Sequence, residues 1–230
     1  MVYALAGEER SDATEITAMT RQQNSEELRL QTRTSTSISV SWGNTTRPEV
    51  TGFVLRITFQ EGDAIDSIKN VSLGDVLGVE FSDLIPGTNY TVYLLVEVEG
   101  QLDTAVHSLD VTTLPGMPGN ISCDPTKTTQ SLLEIEWGST QEGNFDGYAI
   151  STQTGDGEEI PLESVEKDEQ LQATADYLMD NTIYTFIVRS TLGDLRGEPT
   201  TMTCRTHPQN LMVSTSTSSP SGEQDLFLDW

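Results

Sequence analysis

Apolar residues recur at every second position in three segments that each end at a tryptophan. The segments are Ile38–Trp42, Leu133–Trp137 and Leu226–Trp230, and the positions between their apolar residues are mostly polar. A period of two with one apolar face is typical of a half-buried β-strand. The tryptophans lie 95 and then 93 residues apart. This spacing indicates an internal repeat of about 94 residues.

A second marker repeats with the same period. The motif Leu-x-x-x-Thr-x-Tyr occurs twice, from Leu84 to Tyr90 and from Leu178 to Tyr184, at a spacing of 94 residues. Each copy opens another run in which apolar and polar residues alternate. Because two independent markers share one period, the repeat is a structural unit rather than a coincidence.

Turn residues divide each repeat into seven short runs with strand character. The predicted strands of the first repeat are about 27–33, 36–42, 51–59, 68–73, 76–82, 88–98 and 104–112. Those of the second repeat are about 119–124, 131–137, 145–152, 157–163, 170–176, 182–191 and 198–205. Seven short strands in about 90 residues predict an all-β fold of tandem Greek-key sandwiches, each made of two sheets.

The residues at these markers carry a family resemblance. A tryptophan at the end of the second strand, the Leu-x-x-x-Thr-x-Tyr motif, and Thr-Thr-Leu-Pro-Gly-x-Pro at residues 112–118 together resemble tandem fibronectin type III modules, which have an Ig-like sandwich fold. The resemblance implies that Tyr90 and Tyr184 are tyrosine-corner residues, whose hydroxyls bond to the backbone at the preceding turn. It also implies a structural core that includes the tryptophans and leucines of the two markers. Those residues are Trp42, Leu84, Trp137 and Leu178.

The repeats predict four segments along the chain. Residues 23–114 and 115–206 are the two complete modules. Residues 1–22 resemble the F–G hairpin of a preceding module, and residues 207–230 resemble strands A and B of a following module. The links between modules are short and contain proline, which stiffens a linker. We therefore expect a segmented rod that belongs to a longer array.

The charge balance limits the partners. Lys and Arg number 12 against 36 Asp and Glu, which gives a net charge of −24. Nucleic acids and anionic membrane surfaces attract basic proteins. No apolar run is long enough for a transmembrane helix. We therefore expect other proteins as partners, with no nucleic acid and no membrane contact within this segment.

The two cysteines, Cys123 and Cys204, both fall in the second module. They lie on the predicted first and last strands, which run parallel from the same pole of the resembled sandwich and face each other at its edge. This placement favours a disulfide that closes a loop of 81 residues. The alternative is a pair of reduced, buried thiols in an intracellular protein.

Four Asn-x-Ser/Thr sequons indicate N-linked glycosylation. Their asparagines are Asn44, Asn70, Asn89 and Asn120, all at positions expected to be exposed. The alternative is chance, since the chain is rich in Ser and Thr. Together with the cysteines, the sequons favour an extracellular location.

Residues with catalytic potential are few and scattered. His107 is on a predicted strand and His207 is in a linker, so no Ser-His-Asp or Cys-His arrangement can be built from them. The acidic residues between Glu158 and Glu169 lack the alternating oxygen ligands and central glycine of a calcium loop, which favours a solvated strand edge. The sequence predicts no catalytic residues, no metal and no cofactor.

One sheet face of the first module is a candidate partner patch. Alternation sends Val54, Arg56, Tyr93 and Leu95 outward. Aromatic residues and arginine are enriched at the centres of interfaces. The patch could contact another protein, including a second copy of this chain. The alternative is ordinary cross-strand packing on a sheet surface.

Three function classes fit these observations. The leading one is a non-catalytic adhesion, binding and spacer segment of a cell-surface receptor, because the module exit Cys204–Pro208 is similar to those of receptor-type tyrosine phosphatase ectodomains. The alternative is a segment of a secreted matrix glycoprotein that resembles tenascin. The third is an intracellular cytoskeletal array, which reduced cysteines and unused sequons would support.

Overall fold

The structure is a computed structural model, and every regular element in the residues that it describes is a β-strand. It describes residues 5–6, 9–10, 27–59, 65–75, 77–102 and 107–209. The all-β prediction is confirmed. The third tryptophan segment, Leu226–Trp230, lies outside the described residues, as does most of the predicted start of a following module.

A short hairpin lies near the start of the chain. Its strands are β1 (Leu5–Ala6) and β2 (Glu9–Arg10). They pair antiparallel, with Leu5 opposite Arg10 and Ala6 opposite Glu9. The other residues of the predicted hairpin segment lie outside the described residues.

The first module is a sandwich of two antiparallel sheets. Its strands are β3 (Arg29–Arg33), β4 (Ile38–Ser41), β5 (Val50–Phe59), β6 (Ile65–Ser72), β7 (Gly78–Phe81), β8 (Asn89–Val98), β9 (Gln101–Leu102) and β10 (His107–Thr112). One sheet has the order β3-β4-β7, and the other has the order β10-β8-β5-β6 with β9 paired to β8. Strands β5 and β8 are therefore central, and β6 is an edge strand.

The second module repeats this arrangement. Its strands are β11 (Ile121–Cys123), β12 (Leu133–Trp137), β13 (Gly147–Gln153), β14 (Ile160–Glu166), β15 (Gln172–Ala175), β16 (Ile183–Leu192), β17 (Leu195–Arg196) and β18 (Thr200–Arg205). One sheet has the order β11-β12-β15. In the other, β14, β13 and β16 follow one another, and both β17 and β18 pair with β16.

The observed strands agree with the predicted ones to within a few residues, with two additions. Strands β9 and β17 have two residues each and extend the hairpins that begin with β8 and β16. The alternation pattern does not indicate these two strands. The turn before β9 has positive φ angles at Glu99 and Gly100, of 50° and 78°. Such left-handed turns match the twist of paired strands, so they extend the hairpin without any apolar signal.

Each module has its own core between its two sheets. The inward side chains of the central strands are fully buried in both modules, as alternation predicts; examples are Leu55, Leu94, Phe186 and Val188, all 0% exposed. The marker tryptophans lie at the core edges and contact aromatic rings edge to face. The ring centroids of Trp42 and Phe53 are 5.6 Å apart, as are those of Trp137 and Tyr148.

The turn before each tyrosine of the second marker is held by two hydrogen bonds. The Tyr90 hydroxyl accepts from the Ile85 N–H at 2.9 Å, which is the bond that the resemblance implies. Thr113 donates its hydroxyl to the Ile85 carbonyl at 2.8 Å. Tyr184 accepts in the same way from the N–H of Met179, at 2.8 Å. Of the two marker leucines, Leu84 is buried and Leu178 is half-buried against the core.

The second module contains a disulfide between Cys123 and Cys204. Cys123 ends β11 in one sheet and Cys204 lies in β18 of the other, with their Cα atoms 6.4 Å apart. This separation is within the range that a disulfide spans. The bond therefore joins the two sheets of the second module covalently at one edge.

We expect Trp42→Ala to destabilise the first module and leave the second intact, because the two cores are separate. Loss of a buried tryptophan costs about 3–5 kcal/mol, a large part of the stability of a small domain. Calorimetry should show two transitions, of which only one shifts. Reduction of the disulfide identifies the other transition, since the first module has no cysteine. A single transition that responds to both changes would contradict independent modules.

Candidate functional site: the inter-module joint and the outer sheet faces

The two modules meet through a turn of the first and a loop of the second. The turn contains Pro86 and Gly87, which are both buried, and the loop contains Gly143 and Asn144. The Asn144 N–H donates to the Pro86 carbonyl at 3.2 Å, and the Asn144 side-chain amide donates to the Gly87 carbonyl at 3.1 Å. One asparagine therefore satisfies two successive carbonyls of the other module. We call these four residues the joint.

Two glycines allow the backbones of the joint to approach closely. Gly87 has φ of +58°, and a Cβ there would lie 1.9 Å from the Asn144 carbonyl oxygen. Gly143 has φ of +79°, and a Cβ there would lie 2.1 Å from the Pro86 carbonyl oxygen. Both distances are far below van der Waals contact, and both backbone conformations favour glycine. The joint is thus formed by backbone against backbone, with no room for a side chain at either position.

The linker between the modules is hydrogen-bonded to the second module. Within residues 114–119, the Gly116 carbonyl accepts from the buried Ser190 hydroxyl. The Pro118 carbonyl accepts from the Thr200 hydroxyl at 2.8 Å. These bonds fix residues 116–118 of the linker to the second module, so the linker continues that module rather than forming a free chain.

The far end of the second module repeats the turn but not the glycine. The Asn181 N–H donates to the His207 carbonyl at 3.1 Å, just as the Gly87 N–H donates to the Leu114 carbonyl at 2.9 Å. Asn181 also has a positive φ, of 48°. Its side chain occupies the place where Gly87 leaves room for the next module. This end of the second module therefore cannot form a joint with the geometry seen between Gly87 and Asn144.

The candidate partner patch of the first module lies on the outer face of its larger sheet, as alternation predicts. Val54 lies opposite Leu95, and Arg56 lies opposite Tyr93. Val54 and Leu95 are nevertheless only 6% and 7% exposed, although neither belongs to the core cluster. Arg56 and Tyr93 are half-buried. The buried Nε of Arg56 has no hydrogen-bond partner among the described residues.

An ion pair lies on the outer face of the corresponding sheet in the second module. Arg189 makes two parallel hydrogen bonds to the Glu159 carboxylate, both 2.8 Å long. The Ser151 hydroxyl donates to the same carboxylate at 2.9 Å. These bonds, led by those from Arg189, lower the pKa of Glu159 below its ordinary value. The other residues matching the patch are Ala149 and Ile187, and Ile187 is 5% exposed.

The sequons and histidines are spread over both modules. All four sequon asparagines are exposed; they are Asn44, Asn70, Asn89 and Asn120. His107 is on β10 and His207 follows β18, so the structure does not bring them together. Within the described ranges, no group of His, Cys, Asp or Glu is placed to hold a metal ion. No helix in that part of the chain is long and apolar enough to cross a membrane.

Sequence reasoning missed the joint and the role of Glu159. Residues 86–87 lie between two predicted strands, and no local pattern in the sequence marks Asn144 as their partner. The sequence predicts a solvated strand edge for the acidic run that contains Glu159, whereas Glu159 pairs with an arginine 30 residues away. Alternation along β16 places Arg189 on the outer face. It does not locate Glu159, because Glu159 lies in the loop before β14.

Comparisons with known proteins agree with this architecture. Residues 24–107 match the family model of the fibronectin type III domain. Tenascin-N of Mus musculus is 27% identical over 164 residues, which are 70% of this chain and 10% of that protein. The chain thus spans about a tenth of the length of this curated relative.

Two solved structures are also similar. A two-domain fibronectin type III segment of chicken tenascin has a TM-score of 0.49 at 19% identity, covering 78% of this chain and 97% of that one. The FN1-FN3 domains of chicken CNTN1 have a TM-score of 0.40 at 15% identity, covering 78% of this chain and 66% of that one.

We expect Gly143→Ala to loosen the joint without unfolding either module. The new Cβ would force the loop away from Pro86, and the left-handed conformation adds about 1–2 kcal/mol of strain. Residual dipolar couplings should then require separate alignment tensors for the two modules. Gly155→Ala is the matched control, because Gly155 has φ of +53° and nothing within 4 Å of its Cβ position. One shared alignment tensor in both variants would show that the joint does not depend on this approach.

We expect Glu159→Gln to destabilise the second module at neutral pH by at most about 1 kcal/mol, since the pair is partly exposed. A carboxyl whose pKa is lowered on folding stabilises the fold above its unfolded pKa of about 4.3 and loses this effect as the pH falls through the folded value. The difference between variant and wild type should therefore vanish in acid. Chemical denaturation from pH 7 to pH 3 measures it.

Glu158→Gln is the control for this titration, since it removes the same charge from an exposed neighbour. A pH-independent difference for Glu159→Gln, or an equal effect of Glu158→Gln, would rule out the ion pair as the cause.

Proposed function

We propose that this chain, which is built of tandem fibronectin type III modules, is a non-catalytic binding and spacer segment of an extracellular adhesion protein. The joint is the observation that carries this proposal. A segment that holds its neighbours at a fixed separation needs modules with separate cores and contacts that resist swivelling. Asn144 bridging two carbonyls, together with the close approach at Gly87 and Gly143, supplies such contacts.

The extracellular assignment is supported by the disulfide and the exposed sequons. Disulfides persist in oxidising compartments and are rare in the cytosol. The bond between Cys123 and Cys204 fits secretion. We propose N-linked glycans at the four exposed sequon asparagines, which are Asn44, Asn70, Asn89 and Asn120. We also propose module boundaries at 23–114 and 115–206, which fall in the linker and the second exit.

The parent protein is proposed to be a secreted matrix protein. The match to Tenascin-N over 70% of the chain favours this candidate. A cell-surface receptor ectodomain is the second candidate, favoured by the exit sequence Cys204–Pro208. In both cases the partners are other proteins, because a net charge of −24 disfavours nucleic acids and anionic membranes.

The test of this proposal is secretion of the chain from mammalian cells, followed by single-molecule FRET between dyes at exposed Glu27 and Ser131. We expect one narrow FRET population, because the joint fixes the modules, and a broader one for Gly143→Ala. Intact mass should show glycans on the secreted chain and no thiol that alkylates before reduction. A surface coated with the chain should retain cells better than one coated with albumin.

Several results would count against the proposal. Retention inside the cell with free thiols and empty sequons would favour the intracellular array. A broad FRET population for the wild-type chain would exclude a spacer of fixed length. Cell retention that survives unfolding of both modules would show that adhesion does not require the folded surface.

A further inference from the structure

The outer face of the first module has no ion pair like the one between Arg189 and Glu159 on the second module. Across its strands, Ile68 lies opposite Arg56, and Arg56 lies opposite Tyr93. Ile68 is 50% exposed, and the two other side chains are half-buried. No carboxylate among the described residues pairs with Arg56, in contrast to Glu159 on Arg189. The face thus has one exposed apolar side chain, Ile68, beside an arginine that no carboxylate among the described residues pairs with.

A sequon lies on the same face. Asn70 is opposite Val54 in the register of β5 and β6, and paired residues point to the same side of a sheet. Val54 is outside the core cluster, whereas Val71, the neighbour of Asn70, packs against the core. The Asn70 side chain is therefore outward. It stands two residues from Ile68 on the edge strand, where β6 has no further strand beside it.

We propose that Asn70 carries an N-linked glycan whose first N-acetylglucosamine covers this face. The glycan itself is thus the occupant of the patch, rather than a second protein. In forming the bond, the Asn70 amide nitrogen replaces the diphosphate at C1 of a lipid-linked oligosaccharide, and the amide proton leaves with the released lipid diphosphate. This inference rests on the proposed extracellular location.

The chemistry of the sugar fits the face. The acetamide methyl and the C–H face of the ring are apolar and match Ile68 and the Tyr93 ring. The acetamide carbonyl and the ring hydroxyls can accept hydrogen bonds from the Arg56 guanidinium, which has no carboxylate partner among the described residues. Because the sugar is tethered to the next residue of the same face, little entropy is lost when it packs there. The glycan would take the place that Glu159 has in the second module.

The other sequons lack this relation to the face. Asn44 follows β4 in the other sheet, and Asn120 precedes β11 of the second module. Asn89 starts β8 on the outer side, but it is four residues from Tyr93, about 13 Å along the strand. Its side chain accepts a hydrogen bond from the Thr112 hydroxyl at 3.2 Å. Asn89→Gln is therefore the matched control for a sequon on the same sheet.

The test uses the full chain secreted from mammalian cells, with melting of the first module as the readout. We expect Asn70→Gln to lower the melting temperature of that module by about 4 °C or more, on the scale by which small domains respond to a lost contact. Ser72→Ala should do the same, since it removes the sequon and keeps Asn70. Trimming all glycans to one N-acetylglucosamine should preserve the stabilisation. Asn89→Gln should have no comparable effect.

A double-mutant cycle connects the effect to the face. In a Tyr93→Ser background, loss of the Asn70 glycan should shift the melting temperature by less than half as much. Nuclear Overhauser effects between the acetamide methyl of the first sugar and the Ile68 methyl groups should be present in the wild-type chain. Their absence, or an undiminished shift in the Tyr93→Ser background, would overturn the inference.

The outcomes separate this inference from the proposed function. If all four sequons are empty and the thiols are free, the extracellular assignment fails as well. If the other sequons are occupied but Asn70 is not, or if its glycan has no effect on melting, only the inference about the face fails. Association of the glycosylated chain that Tyr93→Ser abolishes would overturn it in favour of a second copy as the occupant.

Discussion

Alternate side chains of β5 and β8 are removed from water between the two sheets of the first module, and this burial fixes the register of both strands. Val92 and Leu94 are fully buried, so Tyr93 and Leu95 must point outward. A slip of one residue would exchange the two sets and place a tyrosine in the core. The second module obeys the same constraint, with Phe186 and Val188 inside. Core packing therefore determines which side chains each outer face presents.

The sequence predicted those features that an alternating pattern, a repeated spacing or the family resemblance marks. Alternation located the strands, and the spacing of the tryptophans located the modules, because inward side chains recur at every second position. The joint could not be predicted in this way. Asn144 and Gly87 are 57 residues apart, and the sequence around either residue does not indicate that the two are in contact. The pairing of Glu159 with Arg189 was missed for the same reason.

The two modules reach stability by different means. Phe81 fills the core of the first module where Ala175 lies in the second, and both are 1% exposed. The smaller side chain buries less apolar surface, which provides most of the driving force for folding. The second module compensates with the Cys123–Cys204 bond, which reduces the entropy of its unfolded chain. The two modules share the same strand order. The first depends more on burial of apolar side chains for its free energy of folding, and the second also on its disulfide.

The position of the disulfide also decides how this segment would respond to tension. A force transmitted along the chain enters the second module near β11 and leaves it near β18, and the Cys123–Cys204 bond connects these two strands directly. The 81-residue loop behind the bond cannot extend unless the bond is reduced. The first module has no such bond, and each residue it releases adds up to about 3.4 Å of length. Under tension the first module would be the extensible element of this segment and the second a nearly inextensible one.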